Sequence, residues 1–345
     1  MRWSQCAKFI VLTTTTLTCY ILLYYASKSV TQGPSINWIN QQIFDNSPNC
    51  SIEFKGPNIQ GINRQHIEKI SHCLIEFKDL IIKSRYVHLP SNFRDRCNMD
   101  DTEMSTLIFV QSTPSKRDRR DAIRTTWTNP KNSLSIRNNL TRVFFIIGNG
   151  ESITKDLYRE MATHDDLIVI DLEDTYKNLV YKTAVTLQTA SIFCSSSFVM
   201  KVDEDVVFHI DRMYERVLNG NSVDAAIYCL VWPASFPFRN PSSHWYVSEY
   251  KFAGSIYPPF CSGPSYVMTK IAAKRILEAA SRFRVMEAED VLFTGLIPQS
   301  IGINRTHQNG YLDKVVDWCM FDVISIHNIS IKDFLHYWNA LQAKC

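Results

Sequence analysis

The stretch Ser197–Asp211, SFVMKVDEDVVFHID, decides the fold. Phe198 to Val202 is apolar apart from Lys201, and a short run of that kind reads as a strand buried on both faces. Three carboxylates follow at once: Asp203, Glu204 and Asp205. Side chains alternate along an extended chain, so Asp203 and Asp205 are expected to face one way and Glu204 the other. Two like-facing carboxylates at a strand end repel each other unless a cation lies between them. A hard divalent ion, Mn²⁺ or Mg²⁺, takes oxygen ligands and keeps positions open for phosphate oxygens, which makes Asp203 and Asp205 candidate metal ligands. The plainer alternative is a solvated acidic turn closing the strand.

Outward from this strand the chain alternates between strands and helices. Strands are expected at 106–110, 143–147 and 167–170, and helices at 116–127, 153–162 and 179–193. Strands joined by crossover helices imply an α/β fold with a mostly parallel central sheet covered on both faces. Such sheets bind ligands at the carboxyl ends of their strands, which is where the acidic triplet falls. Beyond it the spacing predicts a helix at 213–218, strands at 225–231, 266–268 and 323–326, and helices at 271–280 and 331–341, with a loop-rich stretch at 232–260. Glu289-Asp290-Val291 is expected to open another helix.

Upstream, Phe9 to Ser27 contains no charged residue and is long enough to cross a bilayer, which takes roughly 20 residues. Arg2 and Lys8 precede it, so the amino terminus is expected in the cytosol and the bulk of the chain on the other side. The expected organisation is a cytoplasmic tail (1–8), a transmembrane signal anchor (9–27), a lumenal stem (28–104) and a catalytic domain (105–345). Within the stem, Ile67, Ile70, Leu74, Phe77 and Ile81 recur at spacings of three and four, which predicts an amphipathic helix. Packing of that helix on the catalytic domain is the first expectation; pairing with a second copy, giving a homodimer, is the alternative.

Two further features suit a lumenal location. Sequons stand at Asn49, Asn139, Asn304 and Asn328, each a candidate glycosylation site. Of ten cysteines, eight lie beyond the anchor, which fits disulfides of undetermined connectivity in an oxidising compartment. The net charge of +3 is too small to imply nucleic acid as a partner.

Six strings occur in order: RRDAIRTTW (119–127), DTYKNLVYKT (174–183), KVDED (201–205), YPPFCSG (257–263), EDV (289–291) and ISIHNIS (324–330). Together they resemble the β-1,3-galactosyltransferase family, inverting sugar-nucleotide enzymes of the Golgi, and the resemblance spans Ser105 to Cys345. It implies a GT-A type nucleotide-sugar-binding fold, Mn²⁺ dependence, a UDP-sugar donor, a glycan acceptor and a single-pass type II Golgi membrane protein. By this resemblance His327 is a third metal ligand and Asp290 the base.

The chemistry of the residues runs alongside. A departing nucleotide diphosphate needs its charge stabilised, and a cation held by Asp203 and Asp205 would do that. Inversion needs one base on the opposite face of the sugar to take the acceptor hydroxyl proton, the role given to Asp290. Asp290 at a helix start is equally read as a helix cap. Glu289 is the reserve base and a candidate acceptor contact. Asp203, Lys182, Arg120 and Gly263 are candidate donor contacts, and Arg124 is assigned to locking its helix on the sheet. The exit of the first strand, Val110 to Thr113, should border uridine by fold analogy. Trp245, with Tyr246, is a candidate platform for the acceptor sugar.

Two departures from the family pattern stand out. Pro264 and Ser265 follow Gly263, where a second glycine is common and the backbone approaches a sugar. One extra residue separates EDV from Gly295. The reading is therefore a hexosyltransferase moving galactose from UDP-galactose in β-1,3 linkage to a glycan on protein or lipid. Transfer of N-acetylglucosamine or N-acetylgalactosamine is the near alternative. A lectin-like homologue without turnover and a metal-dependent lumenal hydrolase are the rivals of other classes.

Overall fold

Continuous apolar runs with no polar face can be satisfied only in the middle of a sheet, and that is where the structure puts them. It is a computed structural model, and it describes residues 50–53, 70–99, 105–150, 153–219, 224–314 and 322–343. Residues 52–345 hold one compact unit, which carries the central sheet. Every residue of β4 (Thr106–Gln111) and β6 (Leu167–Ile170) is buried, as are all but the last of β7 (Phe198–Asp203). With β5 (Thr141–Gly148) they form a parallel core in the order β6-β5-β4-β7. The crossovers are α1 (Arg117–Thr125), α2 (Lys155–His164) and α3 (Leu179–Phe193). The last is buried on nearly every side.

Both wings of the sheet differ from the parallel expectation. On one side β10 (Phe260–Thr269) runs antiparallel to β7 and to β9 (Ala226–Trp232), and β11 (Asn304–His307) lies outermost, parallel to β9. On the other, β3 (Ile81–His88) joins β6 antiparallel and pairs with β2 (Ile70–Glu76). A short strand β1 (Cys50–Glu53) precedes them in the chain, and from β2 the sheet is ordered β2-β3-β6-β5-β4-β7-β10-β9-β11. A second, three-stranded sheet holds β12 (Tyr311–Leu312), β13 (Ser325–Ile326) and β8 (Val207–Phe208) in that order.

The β2–β3 hairpin corrects two expectations. No amphipathic helix covers 70–81: of the apolar stripe that suggested it, Leu74 and Ile81 are exposed while Phe77 is buried. The chain there is rich in β-branched residues, which favour a pleated surface over a helix. The fold therefore begins well before residue 105, and among the described residues the helix on which the homodimer alternative stood does not form. A disulfide from Cys97 to Cys194, at the end of α3, ties this early segment to the core. A second joins Cys229 to Cys261 across β9 and β10.

The anchor at 9–27 and the sequon at Asn49 lie outside the described residues. Among the described residues no helix is long and apolar enough to cross a membrane. Asn139, Asn304 and Asn328 are all exposed, and Asn139 and Asn328 have positive φ (60° and 62°), a backbone state asparagine tolerates well.

Candidate active site

Strand β7 stops at Asp203, and Glu204 and Asp205 form a turn in which Val206 N–H returns to the Asp203 carbonyl at 3.3 Å. The alternation expected of an extended triplet therefore ends at its first member, and each carboxylate meets a different partner. Asp203 faces Lys201 Nζ at 2.6 Å. Glu204 accepts from the Ser112 hydroxyl at 2.6 Å and from Thr113 N–H at 3.3 Å, at the exit of β4. Asp205 meets His327 Nε2 at 3.4 Å.

His327 arrives because β13 pairs antiparallel with β8, the strand after the acidic turn, and because Ile329 N–H donates to the Asp205 carbonyl at 3.0 Å. Arg119 Nη1 fastens the same segment through the Ile329 carbonyl at 2.9 Å. Burial works to raise the Asp205 carboxyl, yet the hydrogen bond and charge of His327, with Arg119, hold it below the usual range. Burial likewise works to lower His327, and Asp205, then Asp203 and Asp313, outweigh it and raise the imidazole. Burial pushes the Asp203 carboxyl up to about 6 against the opposing pull of Lys201.

Lys201 is the residue that sequence reasoning passed over. It is 1% exposed in the middle of β7, and besides Asp203 it reaches Glu289 at 3.1 Å and the Gly263 carbonyl at 2.7 Å. Burial opposes its charge, but Asp203 and Glu289 together raise the ammonium above its ordinary value. The signal was available: a lone lysine in an apolar strand has to find counter-charges once buried.

Glu289 is thereby corrected from acceptor contact to internal partner, since it is 3% exposed and also accepts from the Tyr266 hydroxyl at 3.0 Å. Asp290, beside it, is half-buried and differently placed. One carboxylate oxygen accepts from Val291 N–H at 2.8 Å, the cap reading of the sequence, while the other lies against Gly263. A Cβ on Gly263 would come within 3.1 Å of that oxygen, so glycine is what lets strand and carboxylate approach. Burial and the neighbouring Glu289 charge push the Asp290 carboxyl up to about 7.

The extra residue after EDV is absorbed locally. Val291–Leu296 winds as a wide π-turn, with Ile297 N–H reaching back to the Leu292 carbonyl, and a one-residue insertion into a helix has that form. Within it Thr294 donates to the Asp290 carbonyl at 2.5 Å and accepts from Cys261 N–H at 2.8 Å. The register of β10 against β9 slips between Cys261 and Tyr266, a bulge that carries Gly263, Pro264 and Ser265.

Arg120 and Lys182 are corrected too. Arg120 is wholly buried, grips Glu160 with two bonds of 2.8 and 2.6 Å, and spends its remaining nitrogen on Ser112 and the Thr113 carbonyl. Lys182 is 2% exposed and binds Asp174 at 2.5 Å and the Ser112 carbonyl at 2.7 Å. Both are buried and hold the β4 exit in place from behind. Arg124 pairs with Asp166, Asp121 and Glu160, the locking role expected of it. Trp245 is 56% exposed on the long loop.

Asp203, Asp205 and His327 are a hard oxygen and nitrogen donor set of the kind Mn²⁺ accepts, and they act on one another's charge. Among the described residues no three side chains are drawn together closely enough to hold an ion. The raised imidazole beside Asp205 and the ammonium beside Asp203 supply the positive charge that these carboxylates need. The donor types are those a divalent cation takes, with Asp205 and His327 the pair in contact.

Comparison with known proteins decides the family. The profile described as Galactosyltransferase matches residues 118–309, more than half of the chain and inclusive of Asp203, Asp205, Gly263 and Asp290. The chain belongs to the β-1,3-galactosyltransferase family. Its relatives include β-1,3-galactosyltransferase bre-2 of Caenorhabditis elegans, 35% identical over 231 residues covering 64% of this chain and 62% of the relative. Human β-1,3-galactosyltransferase 5 is 30% identical over 247 residues, 68% of this chain and 78% of that one. Membership makes this galactosyltransferase relative a hexosyltransferase, and the chemistry its relatives are named for is galactose transfer in β-1,3 linkage. Among solved structures, the galactosyltransferase LgtC with donor and acceptor sugar analogues overlaps 69% of this chain and 97% of its own at a TM-score of 0.36 and 9% identity. His327 and the β2–β3 hairpin lie outside the matched segment.

Proposed function

We propose that this chain is an inverting galactosyltransferase of GT-A type that moves galactose from UDP-galactose to a hydroxyl of a glycan on protein or lipid, forming a β-1,3 link. The observation that carries this reading is Asp290, a carboxylate with one oxygen fixed by Val291 N–H and the other beside Gly263, raised to about 7 by burial and Glu289. A general base works best when its affinity for a proton matches the operating pH.

The acceptor hydroxyl gives its proton to Asp290 as its oxygen forms the bond to the sugar's anomeric carbon. The bond from that carbon to the diphosphate oxygen breaks on the opposite face, and its electron pair leaves with UDP. Lys201 pairs with Asp203 and Glu289, keeping both in place, and donates to the Gly263 carbonyl. The β4 exit, Gln111–Thr113, braced by Arg120 and Lys182, borders the nucleotide. Mn²⁺, held by Asp205 and His327 with Asp203, would offset the charge of the departing diphosphate. The apolar segment 9–27, preceded by Arg2 and Lys8, supports a single-pass type II anchor with the catalytic unit on the lumenal side, and the family resemblance supports the Golgi as its membrane.

The test incubates the detergent-solubilised full chain with UDP-galactose, UDP-N-acetylglucosamine or UDP-N-acetylgalactosamine, an acceptor panel, and either MnCl₂ or a chelator. UDP-galactose consumed only with metal and acceptor, with a β-1,3 product by NMR, supports the reading. Preferential use of another donor, or full turnover in chelator, overturns the corresponding part of it.

A further inference from the structure

The long segment between β9 and β10 takes no part in the chemistry above, yet it is well ordered internally. The Arg239 guanidinium donates to the carbonyls of Val247, Phe252 and Gly254 at 2.7, 2.7 and 2.8 Å, and isolated bridges pair Ser235 with Tyr257 and Phe238 with Tyr246. Although held in this way, the segment leaves Trp245 56% and Phe238 50% exposed. Water-facing aromatic rings fixed by their own scaffold mark a binding surface more than a packing defect.

These rings are not scattered. Tyr176, from the turn before α3, stacks on His244 with centroids 3.8 Å apart; His244 lies 6.0 Å from Trp245, and Trp245 lies 5.4 Å from Phe238. At the inner end Tyr176 lies in the connection that follows β6, at the same carboxyl edge of the parallel core from which Asp203 leaves β7, and after burial the charges of Asp290 and Glu289 most oppose ionisation of its hydroxyl.

We propose that Tyr176, His244, Trp245 and Phe238 form an aromatic track leading out from Asp290 that binds the sugars behind the accepting one, so that the acceptor is an extended glycan and not a single sugar. The inference rests on the reading of Asp290 as the base. A pyranose ring has one face of C–H groups and a rim of hydroxyls. The face sheds water onto an aromatic ring while the rim stays solvated. The track suits that division better than it suits an acyl chain, because its inner members carry a hydroxyl and an imidazole. Its three steps make a wall longer than one ring, which is what chain-length recognition requires.

The experiment measures binding of the solubilised full chain, with UDP and MnCl₂ present, to an array of β-linked oligosaccharides one to five sugars long. A parallel arm measures retention on phosphatidylcholine vesicles. Wild-type binding should rise by about tenfold from one sugar to three, the scale of one well-placed aromatic anchor. Trp245→Ala and Phe238→Ala should abolish that rise, Trp245→Phe should keep most of it, and Leu335→Ala, an exposed apolar residue on the carboxy-terminal helix, should leave it unchanged. Binding without length dependence, no glycan binding at all, or a Trp245→Ala loss confined to vesicles overturns the track. Absence of UDP-galactose turnover would overturn the proposed reaction instead, since the array requires no transfer.

Discussion

Asp290 and Glu289 are adjacent in sequence and opposite in circumstance: one has a carboxylate oxygen at the transfer site, the other is spent on Lys201 and Tyr266. The raised Asp290 carboxyl sets a direction for pH dependence. The base must be ionised to accept a proton, so kcat/KM should fall about tenfold per pH unit once the pH drops below about 7. Glu289→Gln removes the neighbouring charge that helps to raise Asp290, so the acidic limb should move to lower pH, read from the pH–rate profile. Lys201→Met would leave Glu289 and Asp203 without their cation; breaking a buried pair from one side costs roughly 3–5 kcal/mol, seen as a lower Tm. At this scale the sequence pointed to residues whose positions the fold then supplies: Asp205 meets His327 beyond the end of β7, Asp203 faces Lys201, and Asp290 lies against Gly263 within β10. It was not readable for Arg120, Lys182 and Glu289, because a sequence shows a charge and hides the partner that consumes it.

The parallel core was legible for the same reason that it is stable. Runs such as Leu167–Ile170 have no polar face, so only a central strand can house them. The β2–β3 hairpin was not, because a tight turn between strands shifts the phase of the apolar pattern and imitates helical spacing. Ile75, outside the supposed stripe, is buried while Leu74, inside it, is exposed. The β10 bulge is a further element invisible to periodicity, and its structure explains how Gly263 reaches both Lys201 and Asp290. The Cys229–Cys261 disulfide clips that bulge at its base, where Cys261 faces Val231 while Cys229 faces Tyr266. Replacing both cysteines with serine should cost about 3–4 kcal/mol of stability for a loop of this size. It should also slow transfer, because Cys261 N–H holds Thr294, which holds the Asp290 backbone. Thermal unfolding and kcat, measured on the same sample, separate the two effects.

Across the whole molecule, the unit that folds is larger than the one that matches the family profile. The sheet gains β2 and β3 from residues before 105, and the Cys97–Cys194 disulfide welds that extension to α3. A chain starting at residue 105 would bare the β6 edge and leave Cys194 without its partner. It should be recovered as aggregate by size-exclusion chromatography, whereas one starting at residue 52 should elute as a folded species. The opposite border of the sheet, β11, keeps a row of outward amides with no neighbouring strand among the described residues. Its first residue is Asn304, exposed and heading a sequon. A branched sugar tree rooted there would act as a steric fender along the open border, keeping crowded copies from zipping together flank to flank, so this enzyme's own coat of carbohydrate would guard the machinery that builds such coats on others.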